Sequence, residues 1–442
     1  MSPEDPPEDP FAAFTRAFGG MFPGMGAGMG AGLPGTGQPG DDPARQIAMA
    51  IASEGTSEPN VDPVVRMEYE ALLRVAELQV AACTGLTVAR SGTLSVRPVT
   101  RTVWASSSVD AYRPYLSKMA QLPGDLPTDL AGGLGGVPGL EIDGESIDPD
   151  DPRGEQALAW LSGLMAAMAP MMAGMTTGTM VGRLALRSLG TYDLPIPRPT
   201  GGPDDDTLLI VSPNVEAFSA DWSLPADDLR LWICLHEVAH HAVLSVPHVR
   251  EAIGDLLARH AGAFRNDPAE LGDRLGLDLD DLNLGEMNLG EMSLDPAAGA
   301  DALARLQAAL DPEAVLGAVQ SPEQEALLPR LEALVAVVVG VVDHVMDTVG
   351  TGLIGSYSQV TEALRRRRVT TSDADRFVER ILGLNLTQEQ VDRGSAFVAG
   401  VVERAGEDGL ALLWSEARNL PTPSEVDAPG LWLARLELPD TP

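Results

Sequence analysis

The sequence predicts a mainly α-helical protein with one short β element set just before a long helix. Three observations support this. Aromatic residues make up only 4% of the 442 residues, the hydrophobic share is 44%, and Ala, Gly, Leu and Val abound. That mix packs helices closely and suits an all-β core poorly. Apolar residues recur at helical spacing over several long stretches. One β-branched run, Thr207-Leu208-Leu209-Ile210-Val211, closed by Ser212-Pro213-Asn214, reads as a strand.

Residues 1–60 are rich in Pro, Gly and Met, with the near-repeat Gly24-Met25-Gly26-Ala27-Gly28-Met29-Gly30. Such a stretch buries too little apolar surface to offset its chain entropy, so it is expected to be a disordered tail. Inside it Phe11, Phe14, Phe18 and Phe22 fall on one face of a short helix, suited to docking on the body or on a partner.

Residues 61–200 read as a helical N-terminal domain. Helical spacing runs from Pro63 to Gly85 and again near Ser108 to Gln121; residues 122–154 are loop-like, and an apolar helix pair spans about 155–189. Gln156 to Gly182 contains no charge and is long enough to cross a bilayer. Pro170, several Ser and Thr, and the ladder Gly174, Gly178, Gly182 favour instead a buried pair that another helix approaches closely. Pro195-Ile196-Pro197-Arg198-Pro199 then breaks the chain.

Residues 201–442 hold the strand and the metal-binding part. A helix is expected from Ala226 to about Val246, with Asp227 and Asp228 in its first turn. Residues 267–296, with the tandem Asn283-Leu-Gly-Glu-Met287 and Asn288-Leu-Gly-Glu-Met292, form an acidic insertion. Leu331 to Asp347 is a strongly apolar helix, and Arg365 to Arg368 lie in another, where internal pairing is expected.

Charge narrows the functional classes. A formal net charge of −34 repels phosphate backbones and anionic membrane surfaces, so neither nucleic acid nor membrane is an expected partner. Cys83 and Cys234 are the sole cysteines, both within apolar helical patterns, and are expected as reduced thiols. The acidic opening Ser2-Pro3-Glu4-Asp5 is unlike a secretory signal, which with the thiols points to a cytoplasmic protein.

The chemistry centres on His236-Glu237-Val238-Ala239-His240. Residues four apart on a helix project from one face, so His236 and His240 present two imidazoles to one point, as two ligands of a tetrahedral Zn²⁺ must. Glu237 is placed to take a proton from a metal-activated water as general base. His241 points elsewhere and reads as structural. A third ligand is needed. The extended pattern with Gly and His further along the helix fails here, because Val243 and Val246 stand at those places. The alternative is an acid from a later helix with a second acid orienting a ligand histidine. Asp343 and Asp347 have that spacing; His344 and Glu332 are the other candidates.

Leu231-Trp232-Ile233-Cys234-Leu235-His236-Glu237-Val238-Ala239-His240, with Val246-Pro247-His248-Val249-Arg250, resembles the actinobacterial zincin-like metallopeptidases, one branch of which is linked to coenzyme F420 biosynthesis. The Tyr192-Asp193-Leu194-Pro195 turn and the Ala363-Leu364-Arg365-Arg366-Arg367-Arg368 helix are similar too, and the resemblance spans roughly 61–430. It implies a zincin-like helical metallopeptidase fold with zinc on His236 and His240. The chain departs from the pattern at Val339-Gly340, where relatives often show Glu-Gly, and at His248, where they tend to show Trp. Loss of a Glu ligand at 339 would leave Asp343, one turn on, as the replacement; His248 is either an oxyanion stabiliser or a surface histidine.

Two functions follow as expectations. One is a zinc peptidase acting on a peptide or protein substrate laid along the 207–211 strand edge. The other is a catalytically inactive relative that keeps zinc for stability or interaction.

Overall fold

The structure is a computed structural model that describes residues 42–119, 141–142, 145–146, 173–199, 205–263, 321–369, 378–379, 381–384 and 386–438. The Phe-bearing segment, the first part of the uncharged run (156–172) and the acidic insertion (267–296) lie outside the described residues. The chain divides between Asp42 and Pro43, and every described element belongs to the second unit.

Helix α1 (Pro43–Ala52) falls inside the segment whose composition reads as tail. Its Ala44, Ala48 and Ala52 make a bare buried stripe at four-residue spacing. Against α1 lies α4 (173–187), which carries the glycine ladder. A Cβ on Gly178 would come within 2.6 Å of the Ala44 carbonyl oxygen, and one on Gly182 within 2.8 Å of Ile51 Cβ. The ladder thus does what its spacing implies, and its partner is α1. Arg45 adds an ion pair to Asp110 on α3 (Arg101–Met119).

Helix α2 (Pro63–Thr84) has both ends written in sequence. Asp62 accepts the Val64 amide at 2.8 Å, and Gly85, at φ 68°, turns the chain while its N–H reaches the Ala81 carbonyl. Its Tyr69, Leu73, Ala76 and Val80 are buried.

Strand β1 (Ser95–Val99) pairs in parallel with β4 (Thr207–Val211), Ser95 opposite Thr207 and Val99 opposite Val211. Between them in sequence, Glu141–Ile142 (β2) and Glu145–Ser146 (β3) form a small antiparallel ladder. The β1–β4 pairing joins residues of the 61–200 stretch to those of 201–442. The other edge of β4 is taken as well: Gly190 bridges Ile210 in the antiparallel sense, and the Val211 amide donates to the Leu189 carbonyl at 2.9 Å. With both edges paired, β4 does not offer the free edge on which a substrate strand was expected to lie.

The strand runs straight into α5 (Ser212–Asp221), where Pro213 starts a helix rather than ending a strand. Then come α6 (Ala226–Ser245), α7 (Pro247–Gly262) and α8 (Pro322–Val345), the last opened by a Ser321/Gln324 capping box. A π turn (Met346–Gly350) ends α8. Beyond it lie α9 (Tyr357–Val369), α10 (Gln388–Ala405), α11 (Glu407–Ser415), α12 (Pro423–Asp427) and α13 (Pro429–Glu437). Helices α8 and α10 cross backbone to backbone, since a Cβ on Gly394 would sit 1.9 Å from the Ala336 carbonyl oxygen.

Among the described residues no helix is long and apolar enough to cross a membrane. Both cysteines are free thiols. In the arginine run, Arg366 pairs with Glu362 at 2.7 Å, and Arg367 lies 3.7 Å from Asp193.

Candidate metal centre

Helix α6 is buried along most of its length, from Leu229 to Ser245, with α2, α7 and α8 packed around it. Its N-terminus is anchored by Asp228, whose Oδ2 accepts from the amide and hydroxyl of Ser356 at 2.8 and 2.6 Å. One turn on, Trp232 donates its indole N–H to Thr361 at 3.2 Å and stacks on His236 with ring centres 4.8 Å apart. The His236 and His240 rings lie 4.3 Å apart, and the Tyr192 ring stacks beyond His240 at 6.0 Å. Two aromatic walls therefore bracket the histidine pair.

The donor set suits a metal ion. His240 Nδ1 lies 3.1 Å from the His236 carbonyl oxygen. A carbonyl only accepts, so Nδ1 carries the proton, and in the neutral ring the lone pair lies on Nε2, the usual metal-binding arrangement. With His236 on the same face one turn away, the two imidazoles are the residues that would hold an ion.

Glu237 is buried, with one oxygen accepting the Tyr192 amide at 2.9 Å. Its carboxylate presses on Gly190, where an added Cβ would come within 2.4 Å of Glu237 Cδ. Trp104 holds that segment from behind by donating its indole N–H to the Gly190 carbonyl at 2.9 Å. Burial pushes the Glu237 carboxyl up to about 8, with the Tyr192 and Thr191 amides offsetting part of the effect.

Behind the helix, His241 is closed into a polar chain. Its Nε2 meets Asp206 at 3.0 Å and its Nδ1 meets the Tyr192 hydroxyl at 2.9 Å. Burial works against the charge on Asp206, but hydrogen bonds from Ser91, Arg90 and His241 outweigh it and hold the carboxyl below the usual range. Burial lowers the His241 imidazole, partly countered by Asp206. The ionised carboxylate requires an Nε2 proton, so Tyr192 donates to Nδ1. The structural reading of His241 agrees with this closed arrangement.

The remaining candidates are spread along α8 and the turn after it. Asp343 is half-buried. Asp347 falls within the π turn, is exposed, and accepts from the Tyr357 hydroxyl at 2.7 Å. The expected orienting of a ligand histidine by Asp347 is therefore not what the structure shows, because the π turn carries it onto α9. His344 pairs with Glu407 at 3.0 Å, and Glu332 accepts from Gln390 at 3.4 Å. Val339 is buried beside Glu332, Leu386 and Gln390. Among the described residues no three His, Cys, Asp or Glu side chains converge to hold an ion. His248 meets the Leu413 carbonyl at 3.1 Å, tying α7 to α11.

Sequence reasoning missed Gly190, Tyr192 and Asp206 as partners of the metal helix. Gly190, set between Leu189 and Thr191, carried one readable signal, the close backbone approach that a glycine permits. The contact of Asp206 with His241 carried none.

The sequence profile of the zincin-like metallopeptidases matches residues 42–433, which takes in α1, the β1–β4 pair, the metal helix and α8. A solved structure of a presumed hydrolase with a novel fold from Chloroflexus aurantiacus is similar at a TM-score of 0.54 and 22% identity, covering 90% of this chain and 98% of that one. At that identity the likeness is one of fold. No curated protein matches the chain. With the histidine pair and its buried glutamate lying inside a match of this extent, the chain belongs to the zincin-like metallopeptidase family.

Proposed function

We propose that the protein is a zinc-dependent peptidase in which His236 and His240 hold the ion and Glu237 is the general base. The observation that carries the reading is the bracketed histidine pair, with His240 fixed in its tautomer by the His236 carbonyl and Glu237 buried beside it. A bound zinc ion polarises the scissile carbonyl and lowers the pKa of water. Glu237 takes the proton of the attacking water on a carboxylate oxygen and returns it to the leaving amine. The Tyr192 amide holds the other oxygen, so the proton is handled at one position. Asp343 is the proposed third ligand, being the one acid in the apolar run from Ala333 to Val345.

Zinc content and hydrolysis of a broad peptide library, measured for wild type and Glu237→Gln, test the reading. Hydrolysis by wild type alone, with zinc in both, is the expected result. A wild type no faster than the variant overturns it. Loss of zinc on Asp343→Ala checks the third ligand.

A second reading is a zinc-binding relative without turnover. It is favoured by the lack, among the described residues, of a third converging donor. X-ray absorption separates the two: four protein donors mark a structural site, and three with an open position mark an enzyme.

A further inference from the structure

Helix α2 has two apolar faces. Tyr69, Leu73, Ala76 and Val80 are buried in the core. On the opposite side Val64, Met67, Ala71, Val75 and Leu78 follow at spacings of three, four, four and three. At about 100° per residue these five fall within roughly 40° of one direction, diametrically opposite the buried face. Val64 is 58% exposed, Met67 68%, Val75 40% and Leu78 68%. A helix resting on a core with only water outside carries polar residues on its outer face. Here that face is a heptad-like seam about 21 Å long.

We propose that this seam is the interface of a homodimer, with α2 of a second copy packed antiparallel about a twofold axis at Ala71. The order of residues is symmetric about that position: Val64 and Leu78 lie equally far on either side, as do Met67 and Val75. An antiparallel copy sets Leu78 on Val64, Val75 on Met67, and Ala71 on Ala71, where the small side chain lets the helices close. A twofold contact requires this kind of self-complementarity. The charges agree with it. Arg74 and Glu70 border the same flank of the stripe, and the twofold brings Arg74 of one copy to within about 3 Å, along the helix, of Glu70 of the other. The contact occurs twice. Arg74 is exposed and makes no ion pair among the described residues, while Glu70 holds Arg66 through one oxygen at 3.0 Å, leaving the second. A membrane surface is the poorer occupant, because Glu68, Glu70 and Glu77 flank the stripe alongside two arginines.

Sedimentation velocity of the full chain from about 1 to 100 μM tests the proposal, and a concentration-dependent dimer is expected. Each substitution is felt twice in a twofold interface, so Met67→Glu with Leu78→Glu raises the dissociation constant by at least about 100-fold. The side chains are exposed, so circular dichroism is unchanged. Arg74→Glu weakens the dimer by about 10-fold, and adding Glu70→Arg restores it. In a Cys83→Ser background, Ala71→Cys gives an intermolecular disulfide on mild oxidation, whereas Glu77→Cys, on the charged flank, does not. A monomer at every concentration overturns the proposal, whether or not it binds vesicles. So does a dimer that survives the Met67→Glu/Leu78→Glu pair, or equal cross-linking at 71 and 77.

Discussion

His240 and His241 are neighbours in sequence and opposites in surroundings. His241 spends both ring nitrogens inside the protein, one on Asp206 and one on the Tyr192 hydroxyl. His240 has its Nδ1 proton fixed on a backbone carbonyl and its ring set between those of His236 and Tyr192. The back of α6 is thus matched donor for acceptor, and the front is oriented to meet a ligand. Tyr192 belongs to both sides. Its hydroxyl serves His241, its amide holds Glu237 and its ring flanks His240. The closed side therefore sets the geometry of the open one.

The largest effect expected is on the front. Glu237→Gln lowers kcat/KM toward a cleaved peptide by about 1000-fold while leaving zinc content unchanged. His241→Ala sharpens the contrast: it leaves Asp206 buried without its partner and costs about 3 kcal/mol in urea denaturation, yet keeps zinc. A folded His241→Ala protein without zinc would break the division between the two sides.

Gly190→Ala is next, at about 2 kcal/mol, because its Cβ collides with the Glu237 carboxylate; activity falls further than stability explains. His260 gives a buried histidine with no carboxylate partner among the described residues to compare. Burial pushes its imidazole from 6.5 down to about 4, and the Ile381 backbone offsets little of this. Between those values the unfolded chain binds a proton that the folded one refuses, so stability is lost as pH falls. Denaturant titrations should show about 2 kcal/mol lost between pH 7 and 5, and His260→Gln should flatten that slope. Trp104→Phe removes only the hydrogen bond to Gly190 and costs about 1 kcal/mol.

Features fixed by local chemistry were legible in the sequence. Asp62 and Gly85 bound α2, and the spacing of His236 and His240 put both on one face of α6. The glycine ladder announced a close helix neighbour without saying which. What depends on distant partners was not legible. Strand β1 is five residues with Pro98 inside it, and parallel pairing with β4 alone makes it a strand. Helix α1 is only ten residues long and owes its burial to α3 and to the bare backbone of α4. The expectation of a free edge on β4 failed because the Leu189–Gly190 segment, where the apolar helix pair was expected to end, occupies it. Asp347 has the right spacing on an unbroken helix; the π turn changes where it points.

The parallel ladder also sets an order of events in time. Ser95 and Thr207 are 112 residues apart, and their pairing carries the Gly190 segment that grips Glu237. Helices α2 and α3 emerge from synthesis well before β4 exists, so β1 waits as an unpaired edge while they form. Closing so long a loop costs chain entropy that no local contact returns, which makes ladder formation a late and slow step. Burial of Glu237 is therefore coupled to a long-range pairing, that of β1 with β4. A partly folded molecule then carries both histidines without a positioned Glu237, and the site is assembled only once the ladder has closed.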